Sequence, residues 1–307
     1  MFGSVKYTLR QLSYFVEAAE SGTASAAAQA FYMTQSAMSA ALSDLEAAMN
    51  TQLFLRHRGR GLELTRAGKT LLPMARRLLA SAEDLGELAD SFQSSLTGSL
   101  VVGCFDAVSP AVMTPLIAEF SRRYPNVRFD VLSESQDVLQ TALSDGTAEL
   151  AILYEIDLDR DLTVETMFVS VTHVVLPAAH RLAGRDSVPL AELADDDLIL
   201  ISSSPAKHAV MQGMASVGYA PTVRYELENF DLIRSMVHRG LGYTFITQPR
   251  GFTPQHWGPG VVAVPVSDNM PVTSGALVRT KDSRLTRRAE AFRTFCLTDG
   301  KALVGGG

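Results

Sequence analysis

The sequence predicts an α/β chain in three parts: a helical head with a short β-hairpin, one long helix, and a body of alternating strands and helices. Three observations carry that reading. Before residue 50, apolar residues recur at helical spacing in three short stretches. Leu71, Ala75, Leu78, Ala82, Leu85, Ala89 and Phe92 follow one another in alternating steps of four and three. From Ser99 onward, short apolar runs alternate with amphipathic stretches, the order that builds a sheet covered by helices.

Composition bounds the classes. The chain has 307 residues, 47% hydrophobic and 20% charged, which suits a globular protein with room for more than one domain. It contains no apolar run of membrane-spanning length. Lys6 and Arg10 near the start are followed by no apolar core, which argues against a secretory signal. Cys104 and Cys296 are distant in sequence and make no metal-type spacing, so a reducing cytoplasm is the expected setting. The net charge of −6 is unevenly spread. Residues 1–80 hold nine bases against five acids, a charge of +4, so the remainder holds −10. A basic head on an acidic body suits contact between the head alone and a polyanion; a chance imbalance in surface charge is the competing reading.

Within the head, Thr8 and Gln11 fit a capping box, and Leu12, Phe15, Val16 and Ala19 continue at helical spacing to Ser21-Gly22. A second helix follows Thr23 and runs from Ala24 to Ala30. Thr34 suits the N-cap of a third, from Gln35 to about Met49. Its buried stripe is Met38, Ala41, Leu42, Leu45 and Met49, leaving Gln35, Ser36, Ser39, Ala40 and Ser43 on the other side. Two helices joined by a tight turn, the second with small and polar residues on its open face, describe a helix-turn-helix, which can enter the major groove. An ordinary helical hairpin fits the pattern equally well. Next, Leu53 to Arg56 and Leu62 to Leu64 read as two strands around a turn containing Gly59 and Gly61. Arg56, Arg58 and Arg60 alternate, so an extended chain points all three the same way, toward phosphates or a minor groove, or else simply into solvent.

Together these stretches resemble the N-terminal signature of LysR-type transcriptional regulators. The matching residues are Leu9 to Leu12 with Phe15, Ala27-Ala28, Thr34 to Ser39, Leu45-Glu46, Leu53-Phe54, Arg56, Arg60-Gly61, Leu64-Thr65 and Ala67-Gly68. The resemblance implies a winged helix-turn-helix that binds double-stranded DNA as a dimer, with Thr34, Gln35, Ser36, Ser39, Ser43 and the three wing arginines as the contact residues. The chain departs from the family pattern at Ala26 and Ala40-Ala41, where many members carry large polar or basic side chains. Its third helix has no lysine or arginine, so direct reading would rest on Gln35, Ser36 and Ser39, aided by thymine methyl contacts and DNA shape.

Thr65 can cap a helix running to Phe92. Its 3.5-residue period from Leu71 through Ala75, Leu78, Ala82, Leu85 and Ala89 marks a coiled-coil seam, and the resemblance implies that this seam pairs two copies. A helix packed against its own domain is the alternative. The expected parts are a DNA-binding domain over 1–64, a linker helix over 65–92, a hinge over 93–98 and an effector domain over 99–300. The resemblance further implies homotetramers, and a periplasmic-binding-protein-like effector domain of two α/β subdomains, one of about 99–161 with 268–300 and the other of about 162–267.

In open α/β sheets, ligands bind beyond the carboxyl ends of strands. That rule selects Phe105, Asp106, Ser133, Glu134, Ser135, Tyr154, Ser202, Ser203 and Ser204, with Thr244 or Thr247. The three serines precede a helix, where hydroxyls and free N–H groups suit an anion or merely cap the helix. Asp106 and Glu134 suit a cationic or neutral polar ligand, or are solvated loop charges. Nothing suggests catalysis: there is no G-x-S-x-G elbow, P-loop or H-E-x-x-H motif, the six histidines are scattered, and neither a cofactor nor a metal is expected. His173 reads as satisfied structure. Cys104 reads as a core thiol rather than a redox sensor. The expectation is a small-molecule-responsive regulator with no membrane partner.

Overall fold

The computed structural model describes residues 6–57, 61–90, 96–202, 206–250, 260–281 and 283–305. The chain folds as two compact units, Met1–Ser95 with Ala142–Thr147 and Leu96–Thr141 with Ala148–Gly307.

Local chemistry sets the helices of the first unit. Helix α1 (Leu9–Ser21) opens with a complete capping box: Thr8 Oγ accepts from the Gln11 N–H, and Gln11 Oε1 accepts from the Thr8 N–H at 2.9 Å. It ends at Gly22, in the left-handed conformation. Helix α2 (Ala24–Ala30) is capped by Thr23, and α3 (Gln35–Met49) by Thr34. Strands β1 (Phe54–His57) and β2 (Gly61–Leu64) pair antiparallel with Phe54 opposite Leu64. Gly61 is at φ +85°, and a Cβ there would lie 2.4 Å from the Gly22 carbonyl oxygen. That carbonyl accepts from the Leu62 N–H at 2.7 Å, pinning the hairpin to the end of α1. Helix α4 (Arg66–Asp90) starts from a Thr65 cap, whose Oγ accepts from the Gly68 N–H. One core gathers Leu12, Phe15, Met38, Leu45, Phe54 and Leu72, with Phe15 and Phe54 edge to face at 5.6 Å.

In the second unit, β3 (Gly98–Phe105) runs parallel to both β4 (Val127–Glu134) and β5 (Leu150–Tyr154). Helices α5 (Ser109–Arg123) and α6 (Gln136–Ser144) make the crossovers, as the alternating pattern predicts. Strand β6 (Leu162–Pro177) then continues for sixteen residues. Its first part pairs with β11 (Thr273–Thr280), and its last part with β9 (Thr244–Pro249) and β10 (Val261–Pro265). The division expected after residue 161 therefore meets a strand shared by both halves of one sheet.

Strand β11 returns to β5, and Arg288 of α9 (Arg287–Phe295) donates to the Ser99 carbonyl on β3, so the C-terminal segment packs with the first half of the sheet. In the second half, β7 (Leu198–Ile201) and β8 (Val223–Leu227) pair parallel, flanked by α7 (Ala206–Ser216) and α8 (Phe230–His238). Apolar clusters fill both faces, one around Val174, Leu200, Met214 and Phe245, the other around Val175, Ile199, Ile233 and Ile246.

Candidate DNA interface and effector cleft

On α3, Gln35, Ser36 and Ser43 are exposed and Ser39 is half-buried, opposite the stripe of Met38, Leu42 and Leu45. The exposed hydroxyl of Thr34 caps the helix by accepting from the Ala37 N–H, and lies 3.0 Å from Ser36 Oγ. Ser43 donates back to the Ser39 carbonyl at 3.0 Å. Gln35 makes no side-chain hydrogen bond among the described residues, which leaves a planar donor–acceptor pair free at the start of the helix. Sequence reasoning passed over Glu46 as a structural residue. Its Oε1 accepts from the backbone N–H groups of Leu53 and Phe54 at 2.8 and 3.0 Å, fixing where the hairpin leaves α3. Arg56 pairs with Leu62 through the backbone. Its side chain, and Arg58 and Arg60 entirely, lie outside the described residues.

The seam on α4 is divided. Ala75 is buried and Leu71 half-buried, both against the core of their own unit. Further along, Leu78 is 45% and Leu85 69% exposed, with Ala82 half-buried between them. The side chain of Ala89 lies outside the described residues.

In the second unit, a cleft partly open to solvent lies between the two halves of the sheet. Phe105, Ala107, Tyr154, Ile156 and Thr273 line it from the ends of β3 and β5 and the start of β11. Ile201, Val210 and Phe230 close it from β7, α7 and α8, and Phe245, Ile246 and Thr247 from β9. Phe105 and Tyr154 meet edge to face at 5.6 Å. The Tyr154 hydroxyl crosses to the Thr247 carbonyl at 2.6 Å, and the Gln248 amide crosses to the Ala107 carbonyl at 2.7 Å. Burial raises the Tyr154 pKa, so the ring stays a neutral phenol.

Of the sequence-selected residues, Phe105, Tyr154 and Thr247 line this cavity. Asp106 does not, although it sits between two lining residues. Burial raises the pKa of its carboxyl and the nearby Glu134 adds to the rise, against the lowering effect of a hydrogen bond from Ala107. Ser133 and Glu134 end β4, an edge strand, and Ser135 follows them, so this carboxyl end lies beside β3 rather than in the cleft. Thr244 is buried inside the sheet opposite Val175. Ser202 is half-buried, and its N–H is committed to the Leu227 carbonyl at 2.9 Å. Ser203 and Ser204 lie outside the described residues.

The sequence reading missed Ala107, Ile156, Ile201, Val210, Phe230, Phe245, Ile246 and Thr273. The available signal was the apolar residue in the first turns of each helix that follows a strand end, as at Val210 and Phe230. Cys104 and Cys296 are both buried; burial pushes the Cys104 thiol up to about 12 and raises Cys296 as well. His173 is buried with its pKa lowered, as a neutral core imidazole.

Residues 93–301 match the family model of the LysR substrate binding domain, and residues 9–69 match that of the bacterial regulatory helix-turn-helix protein, lysR family. The chain belongs to the LysR family. It is a DNA-binding transcription regulator that responds to a small-molecule effector, and it is not an enzyme. Among its LysR-type relatives, the transcriptional dual regulator GltC of Bacillus subtilis (strain 168) is 26% identical over 298 residues, covering 94% of this chain and 96% of that protein. The crystal structure of HinK, a LysR family regulator from Pseudomonas aeruginosa, aligns at 30% identity and a TM-score of 0.61, covering 97% and 99% of the two chains. Full-length CbnR complexed with its target DNA shares the fold at a TM-score of 0.66 and 18% identity, over 96% of this chain and all of that one. No helix among the described residues is long and apolar enough to cross a membrane.

Proposed function

We propose that the effector binds in the cavity between the two halves of the second unit, and that its occupancy shifts how a homodimer, assembled further into a homotetramer, sits on its operator. The observation that carries this reading is the cavity's place beyond the carboxyl ends of β3, β5 and β7, with walls from both halves. Such a shift requires the effector to bind one arrangement of the halves more tightly than the other. Gln35, Ser36 and Ser39 read bases, and Arg56, Arg58 and Arg60 hold phosphates. Exposed Leu78 and Leu85, seven residues apart on α4, support pairing through that helix. Two free cysteines and a DNA target fit work in the cytoplasm.

The test has two arms. A small-molecule panel is screened for a rise in melting temperature, and each hit is then assayed for a changed footprint on the operator. Hits that leave the footprint and the operator affinity unaltered would sink the sensing role of the cleft. Separately, Gln35→Ala should reorder the preferred sequences. A variant that binds the same sites in the same order overturns base reading by Gln35.

A further inference from the structure

The cavity walls carry information about the effector's chemistry, independent of its location. We propose that the effector is an uncharged molecule with an aromatic or branched apolar body and a hydroxyl group; this rests on the cleft reading above. No charged side chain lines the cavity among the described residues. Its walls are hydrocarbon and aromatic ring, with aromatic faces from both halves: Phe105 and Tyr154 on one side, Phe230 and Phe245 on the other. An apolar body replaces water there at no polar cost.

The polar groups present are neutral. Thr247 and Thr273 line the cavity, and their hydroxyls make no hydrogen bond among the described residues, so each is free to donate and accept. Gln248 stands next to Thr247, and its amide nitrogen is committed to Ala107, another lining residue. Its Oε1 is buried and has no partner among the described residues. A ligand hydroxyl complements the two threonines that line the cavity, because it both donates and accepts.

A carboxylate finds no cation among the described lining residues. The Ser202 N–H already serves the Leu227 carbonyl. Asp106, between Phe105 and Ala107, does not line the cavity, so it gives an ammonium group no direct partner there either. A desolvated ion without a partner loses affinity.

The experiment uses the full chain and three probes that share one body and differ in head group: 3-phenylpropanol, 3-phenylpropionate and 3-phenylpropylamine. Binding is followed by calorimetry and by the rise in melting temperature. The alcohol is expected to bind at least ~10-fold more tightly than either ion, which corresponds to ~1.4 kcal/mol. Two half-exposed lining positions are then plugged separately, Thr273→Trp and Ile156→Trp, so that one misfolded variant does not leave the question open. Loss of alcohol binding in a folded plug variant supports the proposal. Tighter, plug-sensitive binding of the acid or the amine overturns the ligand class and leaves the cleft reading standing. Binding indifferent to both plugs overturns the cleft reading itself. No binding by any of the three overturns the ligand class.

Discussion

Tyr32 offers a prediction whose size follows from backbone geometry. Helix α2 closes with two hydrogen bonds, from the Met33 N–H to the Ala28 carbonyl at 2.9 Å and from the Tyr32 N–H to the Gln29 carbonyl at 3.1 Å. This is a Schellman closure, and Tyr32 occupies the position where the chain must turn left-handed, at φ +53°. Glycine usually stands there. A residue with a Cβ gives up about 1–2 kcal/mol in that conformation. The tyrosine ring offsets none of it, because the residue is 99% exposed. Tyr32→Gly removes the strain and adds about 0.5–1 kcal/mol of chain entropy in the unfolded state. The net expectation is a gain of about 0.5–1 kcal/mol, roughly a two- to fivefold shift in the folding equilibrium. Tyr32→Ala keeps the Cβ and loses only an exposed ring, so it should stay within about 0.5 kcal/mol of the parent.

The assay is native-state hydrogen exchange on peptides from α2 and α3. Their buried residues form the core of the unit, so their slowest amides report its opening as a whole. Protection that rises with glycine but not with alanine is the expected result. A glycine variant less protected than the parent, or an alanine variant raised equally, would refute the strain argument.

Three further perturbations test other parts of the molecule. Alanine at Arg56, Arg58 and Arg60 together should weaken binding to all sequences and flatten the salt dependence by about one unit of log–log slope per lost phosphate contact; an unchanged slope would remove the wing from the backbone. Leu78→Glu with Leu85→Glu should lower the assembled mass in sedimentation without unfolding the first unit, since both leucines are exposed; an unaltered mass would place pairing elsewhere. Cys104, with its thiol near 12, holds only about one part in 10⁴ as thiolate at pH 8, and a raised pKa means reactivity appears only as pH climbs toward that value. Iodoacetamide should therefore spare it in the native protein and label it on unfolding; native labelling at pH 7.5 would overturn its assignment as a core thiol.

The head was legible because its signals are local. Thr8 with Gln11, Thr23 with Ala26 and Thr34 with Ala37 are bonds across three residues, so composition at fixed spacing reveals them. The seam on α4 was only half legible. Its period is continuous, but Ala75 sits in the core formed with α1, where the helix starts. Periodicity tells which residues face one way, not what they face. Strand β6 is legible in the sequence only near its C-terminal end, in the apolar run Val174-Val175-Leu176. In its first half, Thr163 to Thr166 are half-buried or exposed between Leu162 and Met167, a weak signal beside the continuous apolar run after His173. The cavity was the least legible part. The strand-end rule found Phe105 and Tyr154, whereas Phe230, Phe245 and Thr273 arrive from elements distant in sequence. Glu46 was read as part of a motif, and its two bonds to the hairpin appear only once α3 and β1 are placed together.

The two hydrogen bonds across the cavity make a mechanism testable before any effector is known. Tyr154 to Thr247 and Gln248 to Ala107 join the halves beside the space a ligand would fill. Under the proposed mechanism, a ligand that binds more tightly with both bonds intact favours this arrangement, and one that must break them opposes it, so these bonds would contribute to the differential on which regulation depends. Tyr154→Phe deletes one bond while keeping the ring against Phe105. A neutral hydrogen bond contributes about 0.5–1.5 kcal/mol, so the closed form should lose about two- to tenfold in weight against open ones. Without ligand, amide exchange should quicken in two places at once, the turn from β3 into α5 around Ala107 and the end of β9 around Thr247. Elements away from the cavity, such as α9, should keep the parent's rates. Uniform acceleration across the unit would mean that the bond supports the fold as a whole. Unchanged rates at Ala107 and Thr247 would mean that the halves are held by the shared strand β6 and not by contacts across the cleft.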